Sequence, residues 1–133
     1  VRKEVQGFIL NRLQGALLNE ALRLFRDGYV SAEDLDKTVK HGLGLRWSFM
    51  GPFETIDLNA PNGVVDYGQR YGPLYRDLDR QRSDDDPWDT ATLAALGQER
   101  RSQLPSEGLA ERQAWRDRRL MALMAHQRHI DTK

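Results

Sequence analysis

Two polar side chains set in apolar stretches carry the chemistry this chain can offer. Asn11 sits one turn into the apolar segment 7–13, and Arg46 follows Gly42 and Gly44 and precedes Trp47. An amide presents a donor and an acceptor at one point, so it can hold an oxygen. A guanidinium presents a planar fork that matches a carboxylate. Gly51-Pro52 comes soon after Arg46, and a proline of this kind marks the first turn of a helix. Helix starts leave N–H groups pointing outward, where an oxyanion or carboxylate can sit. The expectation is one wall of a ligand cleft, with Arg46, Gly51 and Pro52 on its substrate-binding side.

Other clusters read as structural. Glu54 and Asp57 lie three apart on one helix face, the spacing of an acid–base pair. Their expected task is to stabilise a helix start and to pair with a nearby Arg. Glu20 falls within the first helix, where burial would demand a partner such as Arg12 or Arg23. His126 and His129 have a zinc-like spacing, but the chain has no Cys and no acid where a third ligand belongs, so no metal is expected. Asp84-Asp85-Asp86 lacks the alternating spacing and glycine of a calcium loop, and reads as part of a solvated acidic loop, 83–86, capping the next helix. Trp47, Phe49, Met50 and Phe53 read as core or interface residues. Segment 99–128 holds seven Arg against four acids. It lacks aromatic interleaving on its basic face, so ion pairs of Glu111 with Arg112 or Arg116 are expected and nucleic acid is not.

The totals narrow the class. A chain of 133 residues has the size of one domain. Twenty basic and twenty acidic residues cancel, which leaves no net field to draw in nucleic acid or an anionic membrane. No apolar run reaches the ~18 residues of a membrane span. Zero cysteines exclude disulfides and thiolate chemistry within these residues and fit a reducing compartment, so a cytoplasmic protein is expected. The opening residues show no leader pattern.

Periodicity points to an all-α fold. Two apolar stripes run along 8–27, so this helix is expected to be central, packed on several sides, and closed by Gly28. Ser31 caps a short helix that His41-Gly42 should close, with Gly44 opening a sharp excursion that carries Arg46. Pro52 starts the next helix. Segments 64–70 and 74–80 read as two helices broken near Gly72-Pro73. Pro87 starts a helix to about 103, and 107–128 forms the last. No alternating strand pattern exists. Six or seven helices in a multi-helix bundle around a buried first helix are expected.

In this order and spacing, Gly7-Phe8-Ile9-Leu10-Asn11-Arg12-Leu13, Glu20-Ala21, Gly28, Ser31 to Asp36, Gly42-Leu43-Gly44 and Gly51-Pro52-Phe53-Glu54 resemble the C-terminal domain of the 3-hydroxyacyl-CoA dehydrogenase family. The run Gly42-Leu43-Gly44-Leu45-Arg46-Trp47-Ser48-Phe49-Met50-Gly51-Pro52, with the later Gln113-Ala114-Trp115-Arg116-Asp117, resembles most the lambda-crystallin branch, which includes L-gulonate 3-dehydrogenase. The strong likeness covers roughly 5–75 and a looser one reaches about 125.

The resemblance implies a parent enzyme with an N-terminal Rossmann domain that holds NAD and a catalytic His–Glu pair. It also implies a helical C-terminal domain, like that of 6-phosphogluconate dehydrogenase, that closes the cleft and makes a homodimer. Residues 1–6 then read as a linker remnant and 7–133 as the helical substrate and dimerisation domain. Asn11 becomes the catalytic candidate, holding the substrate's C3 oxygen, and Arg46 the contact for the carboxylate of a free hydroxy acid or for a phosphate. The chain has no G-x-G-x-x-G turn after a strand, so NAD has no site here and the piece alone is expected to be inactive. A small hydroxy acid, an acyl-CoA of fatty acid metabolism and a carnitine-like acid remain open as substrates. A free-standing helical interaction module without catalysis is the alternative from another class.

Overall fold

The computed structural model describes residues 3–82 and 84–132, and every regular element among them is helical. The expected all-α class is what the chain adopts. The ends of the 1–6 segment at Val1 and Arg2, Ser83 of the acidic loop, and Lys133 lie outside the described residues. The chain divides into two compact units, Val1–Asp89 and Thr90–Lys133. The first holds α1 (Phe8–Arg26), α2 (Ala32–Thr38), α3 (Gly44–Trp47), α4 (Pro52–Leu58) and α5 (Gly63–Arg80). The second holds α6 (Thr90–Gln103) and α7 (Leu109–Asp131).

Local signals place several ends as expected. Gly28 follows α1 at φ +79°, and the Tyr29 N–H bonds back to the Leu24 carbonyl at 3.0 Å. Ser31 Oγ accepts the Asp34 N–H at 3.1 Å and starts α2. Pro52 occupies the first turn of α4.

Three expectations are corrected. His41-Gly42 does not close a helix: the chain winds on through a wide π-helical stretch, Val39–Leu43, straight into α3. Leu43 and Gly44 keep right-handed dihedrals, so Arg46 rides on a regular helical turn rather than a loop. A Cβ on Gly44 would come 3.1 Å from the Val39 carbonyl oxygen, so a side chain would crowd the π turn. Segments 64–70 and 74–80 are one helix, α5, with Pro73 inside it. Proline removes one ladder hydrogen bond there, but the Tyr67 and Tyr75 hydroxyls bond at 2.8 Å across the position and hold the two halves in line. Pro87 is buried in a turn, and the following helix begins only at Thr90.

The first helix is also less covered than its two apolar stripes suggest. Within this chain only Leu22 of α1 is buried, while Phe8 is 64% and Leu10 75% exposed. The reason is size: α2 packs against α1, but a helix of 7 residues cannot wrap one of 19. Glu20 is exposed too, and no Arg pairs with it among the described residues. The C-terminal end of α1 is held instead by the acidic loop. Arg26 forms an ion pair with Asp85, the Arg23 guanidinium donates to the Asp85 carbonyl at 3.4 Å, and the Trp88 indole N–H donates to Asn19 Oδ1 at 2.8 Å.

One corner joins α4 to α5. Asp57 Oδ1, on α4, accepts the Val64 N–H at 2.7 Å, satisfying a free donor in the first turn of α5. Gly63 makes this approach possible, with φ +81° and a position where a Cβ would stand 2.7 Å from the same oxygen. Gly63→Ala is therefore expected to destabilise the domain by more than the roughly 1–2 kcal/mol of the left-handed backbone alone, because it also displaces Asp57. Chemical denaturation of the wild-type and variant proteins measures this.

Candidate functional site

Asn11 lies in the first turn of α1, directly after an unusual start. Gly7 has φ +79° and Phe8 φ +53°, and the Phe8 N–H closes a turn onto the Val5 carbonyl at 3.0 Å. A left-handed Phe is strained, and such strain is tolerated where the chain must take one particular path. The Asn11 side chain is exposed, and among the described residues it makes no hydrogen bond within the chain.

Arg46 lies in α3, and Gly51 and Pro52 stand at the start of α4 just after it. The Arg46 carbonyl accepts the N–H groups of Phe49 at 3.4 Å and Met50 at 3.3 Å, which folds the chain back sharply from α3. The Gly51 carbonyl accepts both the Thr55 N–H at 3.0 Å and its hydroxyl at 2.8 Å, and Thr55 is buried. Gly51-Pro52 is thus a braced corner at the start of α4. The Arg46 guanidinium is exposed and has no carboxylate partner among the described residues. No hydrogen bond joins Asn11 to the Arg46–Pro52 wall among the described residues.

A feature the residue-by-residue reading missed stands on α5. Tyr67, Tyr71 and Tyr75 recur at i, i+4 and i+8, the spacing of one helix face, and that spacing was the available signal. Tyr67 and Tyr71 have ring centroids 4.7 Å apart, and the Tyr67 and Tyr75 hydroxyls meet at 2.8 Å. The bond to Tyr75, and after it burial, push the Tyr67 phenol above its ordinary range, while the nearby charge of Arg46 acts in the opposite direction. α4 packs on both α3, which carries Arg46, and α5, which carries the tyrosines. Tyr75 also lines an open groove of about 480 Å³ between α1 and α5, with Glu20, Arg76, Leu78, Asp79 and Arg82.

Asp66 braces the first turn of α5 beneath this face. It accepts from Arg70 Nε at 2.7 Å and from the Asn62 N–H at 3.2 Å. The Arg70 bond holds the Asp66 carboxyl below its ordinary range, with burial opposing and the Asn62 contact adding.

The remaining candidates are structural in this chain. Asp57 caps α5, and the described residues show no pairing of Glu54 with an Arg. Asp85 pairs with α1 rather than merely capping a helix, and Asp86 accepts the Trp88 N–H at 2.9 Å. Among the described residues no group of three or more His, Cys, Asp or Glu could hold a metal ion, His126 and His129 included. On α7 the basic face does hold an aromatic: Arg112 stacks 3.5 Å and Arg119 5.6 Å from the Trp115 ring centre. Arg112 therefore packs on Trp115 instead of Glu111, and Arg116 pairs with its neighbour Asp117 at 2.8 Å. No helix among the described residues is long and apolar enough to cross a membrane.

Comparison with known proteins places this arrangement. Residues 7–101 match the family described as 3-hydroxyacyl-CoA dehydrogenase, C-terminal domain. The lambda-crystallin homolog of Homo sapiens is 42% identical over 125 residues, covering 92% of this chain and 39% of that protein. Lambda-crystallin of Oryctolagus cuniculus is 39% identical over 132 residues, covering 98% of this chain and 41% of that protein. L-carnitine dehydrogenase of Pseudomonas sp is 46% identical over 77 residues, covering 57% of this chain and 24% of that protein. The chain thus spans about two fifths of the length of the lambda-crystallins it matches.

The Asp66 brace has a pH signature. Its folded carboxyl titrates below the unfolded one, so its contribution is present above the ordinary carboxylate pKa of about 4 and is lost as pH falls through the lower folded value. Asp66→Asn should lower Tm at pH 7, and the gap to wild type should close as the pH drops below about 4. Thermal melts followed by circular dichroism across that range measure it.

Proposed function

The chain belongs to the 3-hydroxyacyl-CoA dehydrogenase family as its C-terminal domain, and from that premise we propose that it is the substrate-side half of an NAD-dependent enzyme oxidising the 3-hydroxyl of a small carboxylic acid to a ketone. The described residues hold no strand and no G-x-G-x-x-G turn, so they do not fit a dinucleotide. The redox step is assigned to a Rossmann domain outside this chain, and the chain alone is inactive. What these residues do is bind and orient.

The observation that carries this reading is Arg46. It is exposed on a regular helical turn beside a braced corner, and no carboxylate of the described residues neutralises it. A free carboxylate on the substrate completes it better than a thioester, which has no such charge. Asn11, just after the strained turn at Gly7-Phe8, holds the C3 oxygen by donating from its amide. Gly51 and Pro52 shape the wall between α3 and α4. Relatives named L-carnitine dehydrogenase support an acid with a free carboxylate on this architecture.

The uncovered apolar surface of α1 supports a second task. Phe8, Ile9, Leu10 and Leu13 are all more than half exposed. A contiguous apolar patch of this kind is a partner surface, and a second copy of the same domain is the simplest closed solution. The working enzyme is accordingly a homodimer with this domain at its interface.

The full-length protein tests the reading. With NAD and a 3-hydroxy acid, Arg46→Ala should lower kcat/KM by about 10- to 150-fold, the loss of a charge-assisted contact worth roughly 1.5–3 kcal/mol. Asn11→Ala should lower kcat by about 10²-fold or more. Steady-state kinetics measures both, and an unchanged kcat/KM in Arg46→Ala removes the carboxylate contact.

A further inference from the structure

We propose that Gly44 is a positioning residue: by leaving room for the π turn at Val39–Leu43, it keeps Arg46 off the packed face of its helix and free to meet the substrate carboxylate. This rests on the reading of Arg46 as the carboxylate contact and deepens it.

Phase along a helix decides which way a side chain leaves it. Ala32 is buried, Leu35 and Val39 are partly buried, and α2 packs against α1, so these three residues mark the inner face. Residues seven apart return to one face of an α-helix. In an unbroken α-helix Arg46, seven after Val39, would therefore stand on that inner face, where a cation without a carboxylate loses its water at a high cost. A π turn takes in one residue more than an α turn. Each residue of an α-helix advances by about 100°, so everything after the turn is set back by that angle. Arg46 thereby leaves the inner face and is exposed, and Trp47 takes the inward place. Trp47 is accordingly 41% exposed, against 62% for Leu45.

One bond and one missing side chain hold this phase. The Gly44 N–H bonds to the Val39 carbonyl, five residues back, where an α-helix would reach back four. A Cβ on Gly44 would stand 3.1 Å from that same oxygen, which is a backbone atom and cannot swing aside. Gly42, in the same turn, has open space where its Cβ would be. The need for glycine is therefore specific to position 44. Alanine there exchanges the five-residue bond for a four-residue one and turns Arg46 back by about 100°.

The test uses the full-length enzyme with NAD and L-gulonate or L-carnitine as the carboxylate substrate, and reads kcat/KM. Gly44→Ala should lower it about tenfold or more, toward the Arg46→Ala value, because it withdraws the same charge-assisted contact. Introduced into Arg46→Ala, the same change should cost nothing further, since the contact it acts through is already gone. Deleting Gly42 from Gly44→Ala removes the extra residue and lets the turn close with α bonds at the original phase. That deletion should recover most of the lost kcat/KM, and it is the deciding readout where Gly44→Ala alone does not fold. An unchanged kcat/KM in Gly44→Ala, an equal fall in both backgrounds, or no recovery on deletion overturns the positioning role and leaves the Arg46 contact in place. An Arg46→Ala enzyme as active as wild type, or a wild-type enzyme that oxidises neither acid, overturns the proposed function and this inference with it.

Discussion

The carboxylate of Asp57 bonded to the first turn of α5 is the constraint on which the rest of the first unit turns. It satisfies the Val64 N–H, and it approaches this closely only because Gly63 carries no side chain and sits at positive φ. That contact sets the angle between α4 and α5. The start of α4 is in turn braced by Thr55 on the Gly51 carbonyl, and α3 packs against α4. Short-range bonds thus brace the Gly51 corner at the start of α4 and the Asp57 corner between α4 and α5. Helices of 4 and 7 residues bury little apolar surface of their own, so their arrangement depends on such bonds.

Charge plays two different parts in this molecule. Several ion pairs are exposed and within one helix, such as Lys37 with Glu33 and Arg80 with Asp77, and pairs of this kind contribute little to stability. The contacts of Asp85 with Arg23 and Arg26 differ because they join segments far apart in sequence. With the Trp88–Asn19 bond they hold the connection after α5 against α1. Arg46 stands outside both groups, as an exposed cation with no ion pair among the described residues.

The apolar surface of α1 is exposed, and the chain spans about two fifths of the length of the lambda-crystallins it matches. Side chains such as Phe8 and Leu10 are placed by their own helix but not covered by it. The helices and their corners form from nearby bonds, while large apolar side chains of α1 stay exposed among the described residues.

Sequence by itself determined the helical class, the capped ends at Gly28, Ser31 and Pro52, the family, and the two polar candidates Asn11 and Arg46. Each depends on residue type and near-neighbour spacing, and helix caps and periodicity act within a turn or two. The unbroken path from α2 into α3, the continuity of α5 through Pro73, the bare flanks of α1 and the Asp85 clasp were decided by tertiary structure. A glycine or proline states what the backbone can do, and only contacts across several turns decide what it does. Gly42-Gly44 permits a break that the π turn does not take, and Pro73 weakens a helix that the Tyr67–Tyr75 bond spans. The tyrosine face was visible as spacing, but the meeting of its two hydroxyls eight residues apart belongs to the folded helix alone.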